Sequence, residues 1–419
     1  MKFPAMVRVR QHFNTNSLQD IPETVRTELA KLDLPKIIAK GQTVAIGAGS
    51  RGIANIATVV CEVVRELKKI GAKPFVFPAM GSHGGATAQG QKNILAHYGI
   101  TKEAMGAPVK ATMEVVQIST TQDGVPVFVD KNAYGADHIV VVNRVKPHTD
   151  YSGQIESGLI KMMAIGLGKQ KGADHYHNTF LHLGHEPVLL SIAREILKHC
   201  PIAFGLALVE NQRDETDTIR AIPAAEIEET ERKLLRRAKR LLAGLPMDPI
   251  DLLVVDQMGK NISGSGMDQN VIARAVIPYH TTPRKPRITR IFVRDFTPNS
   301  DGNATGIGNA DFTTRRLVDK IDHQATYMNA ITSSCPEAVR IPIYFDSDRQ
   351  AIEAALKTIG DVAPEAARVV HIASTLHLEK MNVSEALLKE AESMEGISVT
   401  GPPRPMKFDN GGNLISDLE

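Results

Sequence analysis

A short apolar run that turns on glycine into a helix, and then into a second apolar run, limits this chain to few architectures. Thr43–Gly47 (TVAIG) enters the turn Gly-Ala-Gly-Ser-Arg-Gly at 47–52, the helical pattern Ile53–Lys69 follows, and a second strand-like run spans Lys73–Pro78. Lys68, Lys69 and Gly71 put cations and a left-handed cap at the helix end, where the macrodipole and the C-terminal geometry favour them. The pattern returns at His138–Asn143 and Ala203–Val209, with a helix near 187–199 between them. Parallel strands need crossover helices, so the alternation predicts an α/β fold whose mainly parallel sheets are flanked by helices.

At 419 residues the chain exceeds one ordinary core, and two domains are expected. The charged helix 224–243 ends at Gly244-Leu245-Pro246, and a new strand starts in Asp251–Asp256. We therefore expect an N-terminal domain at 1–245, a C-terminal α/β domain at 246–385, and a tail, 386–419, able to pack back on the first domain. In the second domain the pattern predicts strands at Ile288–Val293 and Arg368–Ser374 and helices at 312–320 and 348–359. The tail segments GPPRPM and DNGGN read as turns and loop.

Lys and Arg number 49 against 47 Asp and Glu, a net charge of +2, which excludes a nucleic-acid-binding surface and points to a small-molecule partner. The most basic run, 231–240, carries Leu234, Leu235, Ala238, Leu241 and Leu242 at helical spacing and reads as a solvated helix face. Cys61, Cys200 and Cys335 are far apart, which argues against disulfide, iron–sulfur and cysteine–zinc chemistry. With no signal-like or membrane-spanning apolar stretch, a cytoplasmic protein with no membrane partner is expected.

Chemistry-bearing residues gather just past the predicted strand ends, where open α/β sheets bind ligands. In Gly47–Gly52, glycines allow close backbone approach, the next helix N-terminus offers donors to an anion, and Arg51 can clamp a carboxylate. In Met80-Gly-Ser-His83-Gly-Gly, the histidine has small neighbours that leave its imidazole accessible for acid/base work. The richest cluster runs from Asn143 through His148 and Gly153 to Lys161, then Asp174-His175-Tyr-His177-Asn178. Lys161 sits among apolar residues and glycines, a setting that favours a covalent role. His175 and His177 share a face on a strand and diverge on a helix. Past the Asp251–Asp256 strand, Gln257 and Lys260 can present a neutral donor and a cation to one carboxylate.

These clusters, in this order over roughly 40–380, resemble the lactate racemase family, whose members carry a nickel-pincer nucleotide. The likeness rests on Ser50-Arg51, Gly81-Ser-His83, Pro147-His148, Ser152-Gly153, Lys161, Tyr176-His177-Asn178 and Gln257-Met-Gly-Lys260. It implies a pyridinium-3-thioamide-5-thiocarboxylate mononucleotide tethered to Lys161 and contacted by Ser50 and Gly153. It further implies nickel on His177, with His175 as the second candidate ligand. His83 and His148 would then be the two acid/base groups, and Arg51, Gln257 and Lys260 the substrate carboxylate holders.

The activity so implied is racemisation or epimerisation of a small α-hydroxy acid in an interdomain cleft, by hydride transfer to and from the cofactor. Cofactor-biosynthesis proteins and a further copy of the chain are the implied macromolecular partners. Ala48, Gly52 and Gly84 depart from the family pattern and widen the substrate beyond lactate, to a sugar acid or malate-like compound. Two other readings compete. A nicotinamide-dependent oxidoreductase shares the strand–turn–helix start, but the turn does not complete GxGxxG and no acidic residue ends Lys73–Pro78. An inactive nucleotide-binding homologue would have little need of both His83 and His148.

Overall fold

The computed structural model describes residues 1–13, 16–49, 52–149, 151–276 and 285–418. The chain divides into two compact units, Thr15–Leu242 and Met1–Asn14 with Ala243–Glu419.

The first unit is built on a five-stranded sheet in the order Lys73–Pro78, Thr43–Ala48, His138–Arg144, Ile202–Glu210, Thr216–Pro223. The first four strands run parallel and the last is antiparallel. Successive side chains of a strand point to opposite faces, and here both faces are covered. Ala45, Ile139 and Val141 join one core with Leu159, Met163 and Leu189. Val44, Ile46, Val140 and Val142 join the other with Val59, Val63 and Leu67 of the helix Ile56–Lys69. That two-sided burial is why these strands read as unbroken apolar runs.

The second unit has parallel strands in the order Ile343–Phe345, Phe312–Thr314, Ile288–Phe296, Ile250–Met258, Val369–Ile372. Antiparallel Lys380–Ser384, Ala5–Gln11 and Ile397–Val399 extend the sheet, and Arg404–Pro405 also pairs with Ala5–Gln11. The expected α/β class with mainly parallel sheets is therefore present, with antiparallel strands added at the edges. Among the described residues no helix is long and apolar enough to cross a membrane.

Four local expectations are corrected. The N-terminal segment, expected in the first domain, is a strand of the second unit's sheet: Val7 and Val9 are fully buried there and pair with Val383 and Met381. The tail does not read as loop throughout, because Ile397–Val399 and Arg404–Pro405 flank that same strand. The predicted helix 312–320 begins as the strand Phe312–Thr314, whose β-branched threonines suit a central strand. Thr314 then caps the short helix Arg315–Val318 by accepting from Leu317 N. The basic run 231–240 is no merely solvated face, since Glu231 at its start is wholly buried and Arg232, Arg237 and Lys239 bond to Glu186, Asp217 and Glu156.

Removing residues 1–13 should therefore weaken the second unit. Hydrogen exchange is expected to rise in peptides covering Val369–Ile372 and Lys380–Ser384 and to stay unchanged in Thr43–Ala48. Unchanged protection of Lys380–Ser384 would show that the N-terminal strand contributes little to that sheet.

Candidate functional site

The loop that follows His138–Arg144 is organised by a buried carboxylate. Glu156, 1% exposed, accepts from His148 N at 2.6 Å and Gly153 N at 2.9 Å, and pairs with Lys239 Nζ at 2.6 Å. Lys239 Nζ also donates to Gly153 O at 2.8 Å. A buried carboxylate needs such donors, because without them desolvation would neutralise or expel it. The loop so fixed presents His148. The His148 ring stacks on Tyr151 with 4.1 Å between centroids, and Tyr151 stacks on His185 at 4.1 Å. The row continues through Phe180, 4.6 Å from His185, to His177, whose ring meets Phe180 edge-on at 5.5 Å.

Lys161 stands near the start of a helix with three parts: Leu159–Lys161, a π-helical stretch Met162–Leu167, and Gly168–Leu183. The start is fixed from two sides. Asn143, at the end of its strand, donates from Nδ2 to Gly158 O at 2.8 Å, and Ile160 N donates to Glu231 Oε2 at 3.0 Å. Any side chain at Gly158 would overlap the Glu231 carboxyl, so this approach requires glycine. Complete burial pushes Glu231 up to about 7, against the backbone donors of Ile160 and Leu159. The wide π turn brings Gly166 against Ala79 at the end of another strand, and such turns are frequent at functional sites. Lys161 Nζ then lies 2.5 Å from His148 Nε2. A lysine and a histidine from separate elements thus meet, half-buried, at the carboxyl edge of the sheet.

His83 is half-buried in extended conformation just before the turn Gly84–Ala86. Its loop lies on the Lys161 helix, with Gly81 against Ile165 and Ala173. His175 and His177 are on the helix, so they diverge by about 200°. His175 is exposed with its ring 5.7 Å from Phe128, whereas His177 turns half-buried toward Phe180. Ser50 and Arg51 lie outside the described residues. Just before the helix Ile56–Lys69, Glu210 accepts from Ala54 N at 2.7 Å and pairs with Arg144. Gln257 and Lys260 belong to the other unit. Gln257 is exposed at the end of Ile250–Met258, and Lys260 Nζ donates to Gly264 O at 2.7 Å within its own loop.

Residues 7–186, which carry His83, His148, Lys161 and His177, match the family model of the lactate racemase N-terminal domain. Over these residues the chain carries a lactate racemase N-terminal domain. Among solved structures, the chain is similar to the lactate racemase apoprotein from Thermoanaerobacterium thermosaccharolyticum, with a TM-score of 0.52 at 14% identity. The match covers 85% of this chain and 96% of that one. The crystal structure of a Thermotoga maritima protein matches with a TM-score of 0.51 at 14% identity, over 80% and 90% of the two chains. At such identity the likeness is one of fold. No curated protein matches the chain.

Several residues on which this candidate site depends carry no sequence signal. Glu156 and Glu231 lie in unremarkable polar contexts, His185 opens a helix just past Leu183, and Tyr151 stands out only as a neighbour of His148. Their roles arise from contacts made in the folded chain, among them Lys239 with Glu156 and Ile160 with Glu231, and no spacing rule marks them.

Glu231 yields a test of this construction. Its folded-state pKa is raised from 4.5 to about 7, so the stability it contributes is full below pH 4.5 and is lost as pH rises through 7. Glu231→Gln keeps an acceptor for Ile160 N without the charge. Denaturation at pH 5 and pH 8 should show the parent losing up to about 3 kcal/mol relative to the variant. The same difference at both pH values would mean that the carboxyl is not held in a raised state.

Proposed function

We propose that the protein is a racemase or epimerase that inverts the hydroxyl-bearing carbon of a small α-hydroxy acid with a nickel-pincer nucleotide. The observation that carries this reading is the meeting of Lys161 with His148, in residues matched to the lactate racemase N-terminal domain. The donor set suits the cofactor. Lys161 offers an amine for the tether, Gly153 lies in the loop that carries His148, and the His177 imidazole is an appropriate nickel ligand. The inward turn of His177 favours it over the exposed His175. When bound, the nucleotide would supply a reversible acceptor for the hydride of the carbinol carbon.

The chain's own residues supply the rest. One imidazole takes up the hydroxyl proton as the carbon becomes trigonal, and the other serves the opposite face, so either enantiomer finds a base. His148 meets Lys161 directly, and His83 comes from the loop packed on the same helix. Arg51, Gln257 and Lys260 would hold the substrate carboxylate, with the paired geometry of an arginine and the point charge of a lysine.

Two measurements test this. Protein made in a host that synthesises the cofactor should carry an adduct on the peptide containing Lys161, and Lys161→Ala should lack it by mass spectrometry. On whichever short hydroxy acid the parent racemises, His83→Ala and His148→Ala should each lower the rate by about 10²–10⁴ and prefer opposite enantiomers in residual exchange. Near-normal turnover in both variants would remove the two-base assignment.

A further inference from the structure

Lys169 is wholly buried, eight residues past Lys161 on the same helix, and has no part in the chemistry proposed for the site. Its backbone, at φ 56° and ψ −160°, interrupts the helix in a conformation that glycine adopts easily and other residues seldom do. Its ammonium donates to Pro78 O at 2.8 Å, where the strand leading to His83 ends, and to Gln91 Oε1. The buried carboxylate of Asp130 is 3.7 Å away. Gln91, also wholly buried, turns its amide back to donate to Gly81 O at 2.8 Å and Met80 O at 3.3 Å. The far side of the loop is pinned as well, because Gly84 and Gly90 approach so closely that neither admits a side chain.

A buried ammonium is expensive to desolvate, and an apolar residue of like volume would fill this space at lower cost. What the apolar residue would lack is donors that join three separate segments. We propose that Lys169 and Gln91 are positioning residues for His83, fixing the loop that carries it against the helix that carries Lys161. This rests on the reading of His83 as an acid/base group. In that role an imidazole displaced by about 1 Å forfeits on the order of 10² in rate.

The test uses Lys169→Met and Gln91→Met in the full chain and reads the loop directly. Hydrogen exchange in peptides covering 79–86 should accelerate about tenfold, with Thr43–Ala48 and His138–Arg144 unchanged. The rate of His83 modification by diethyl pyrocarbonate, followed by peptide mass spectrometry, should change while that of exposed His175 does not. The double variant should be no worse than either single one, since both break one network. Exchange raised evenly across Thr15–Leu242, or no change at 79–86, would overturn the proposal and leave Lys169 a stabilising residue only. Should Lys169→Met fail to fold, Gln91→Met decides by the same readings. In cofactor-loaded protein that racemises a hydroxy acid, both variants should lower kcat about 10²-fold with KM little changed, and an unchanged kcat would also overturn the positioning role. If the loop responds as expected but the parent racemises no hydroxy acid, the loop contact stands and the proposed function fails.

Discussion

The arrangement at the carboxyl edge of the first sheet hangs on Glu156, a carboxylate buried where the chain leaves the His138–Arg144 strand. Burying that charge is tolerable only because two backbone N–H groups and the Lys239 ammonium converge on it. Satisfying that carboxylate ties His148 and Gly153 to Glu156, and the tie sets the place of the His148 ring. The stacked row from His148 through Tyr151, His185 and Phe180 to His177 then follows, because each ring is held by the one before it and by the helices that supply it. Glu231 does the same for the Lys161 helix by receiving the N–H of Ile160. Both carboxylates are answered from the helix Ile227–Leu241 or belong to it, which gives that amphipathic element a part in the site as well as in the core.

The unit Thr15–Leu242 carries the acid/base and tether candidates, while the neutral donor and the cation proposed for the substrate carboxylate, Gln257 and Lys260, belong to the other unit. Within that second unit the neighbouring Asp256 is held by His371 Nε2 at 2.7 Å, Arg294 and Ser416, and these contacts draw its carboxyl down to about 2 despite burial. That network anchors the tail beside the strand end from which Gln257 projects.

The sequence determined the α/β class, because unbroken apolar runs alternating with amphipathic helices leave few other ways to bury both faces of a strand. It also marked the glycine-rich turns past strand ends, which are legible from local composition alone. It misplaced the N-terminal strand, whose partners Lys380–Ser384 and Ile397–Val399 lie near the other end of the chain, and it took the start of 312–320 for helix where pairing with Phe292 and Ile343 makes a strand. Only the tertiary structure decided that His148 meets Lys161, that His177 faces inward while His175 faces out, and that Lys169, Glu156 and Glu231 are buried and answered. Periodicity reports which face of an element is apolar, but the partner of a buried charge is chosen by packing between elements distant along the chain, and no local pattern encodes that choice.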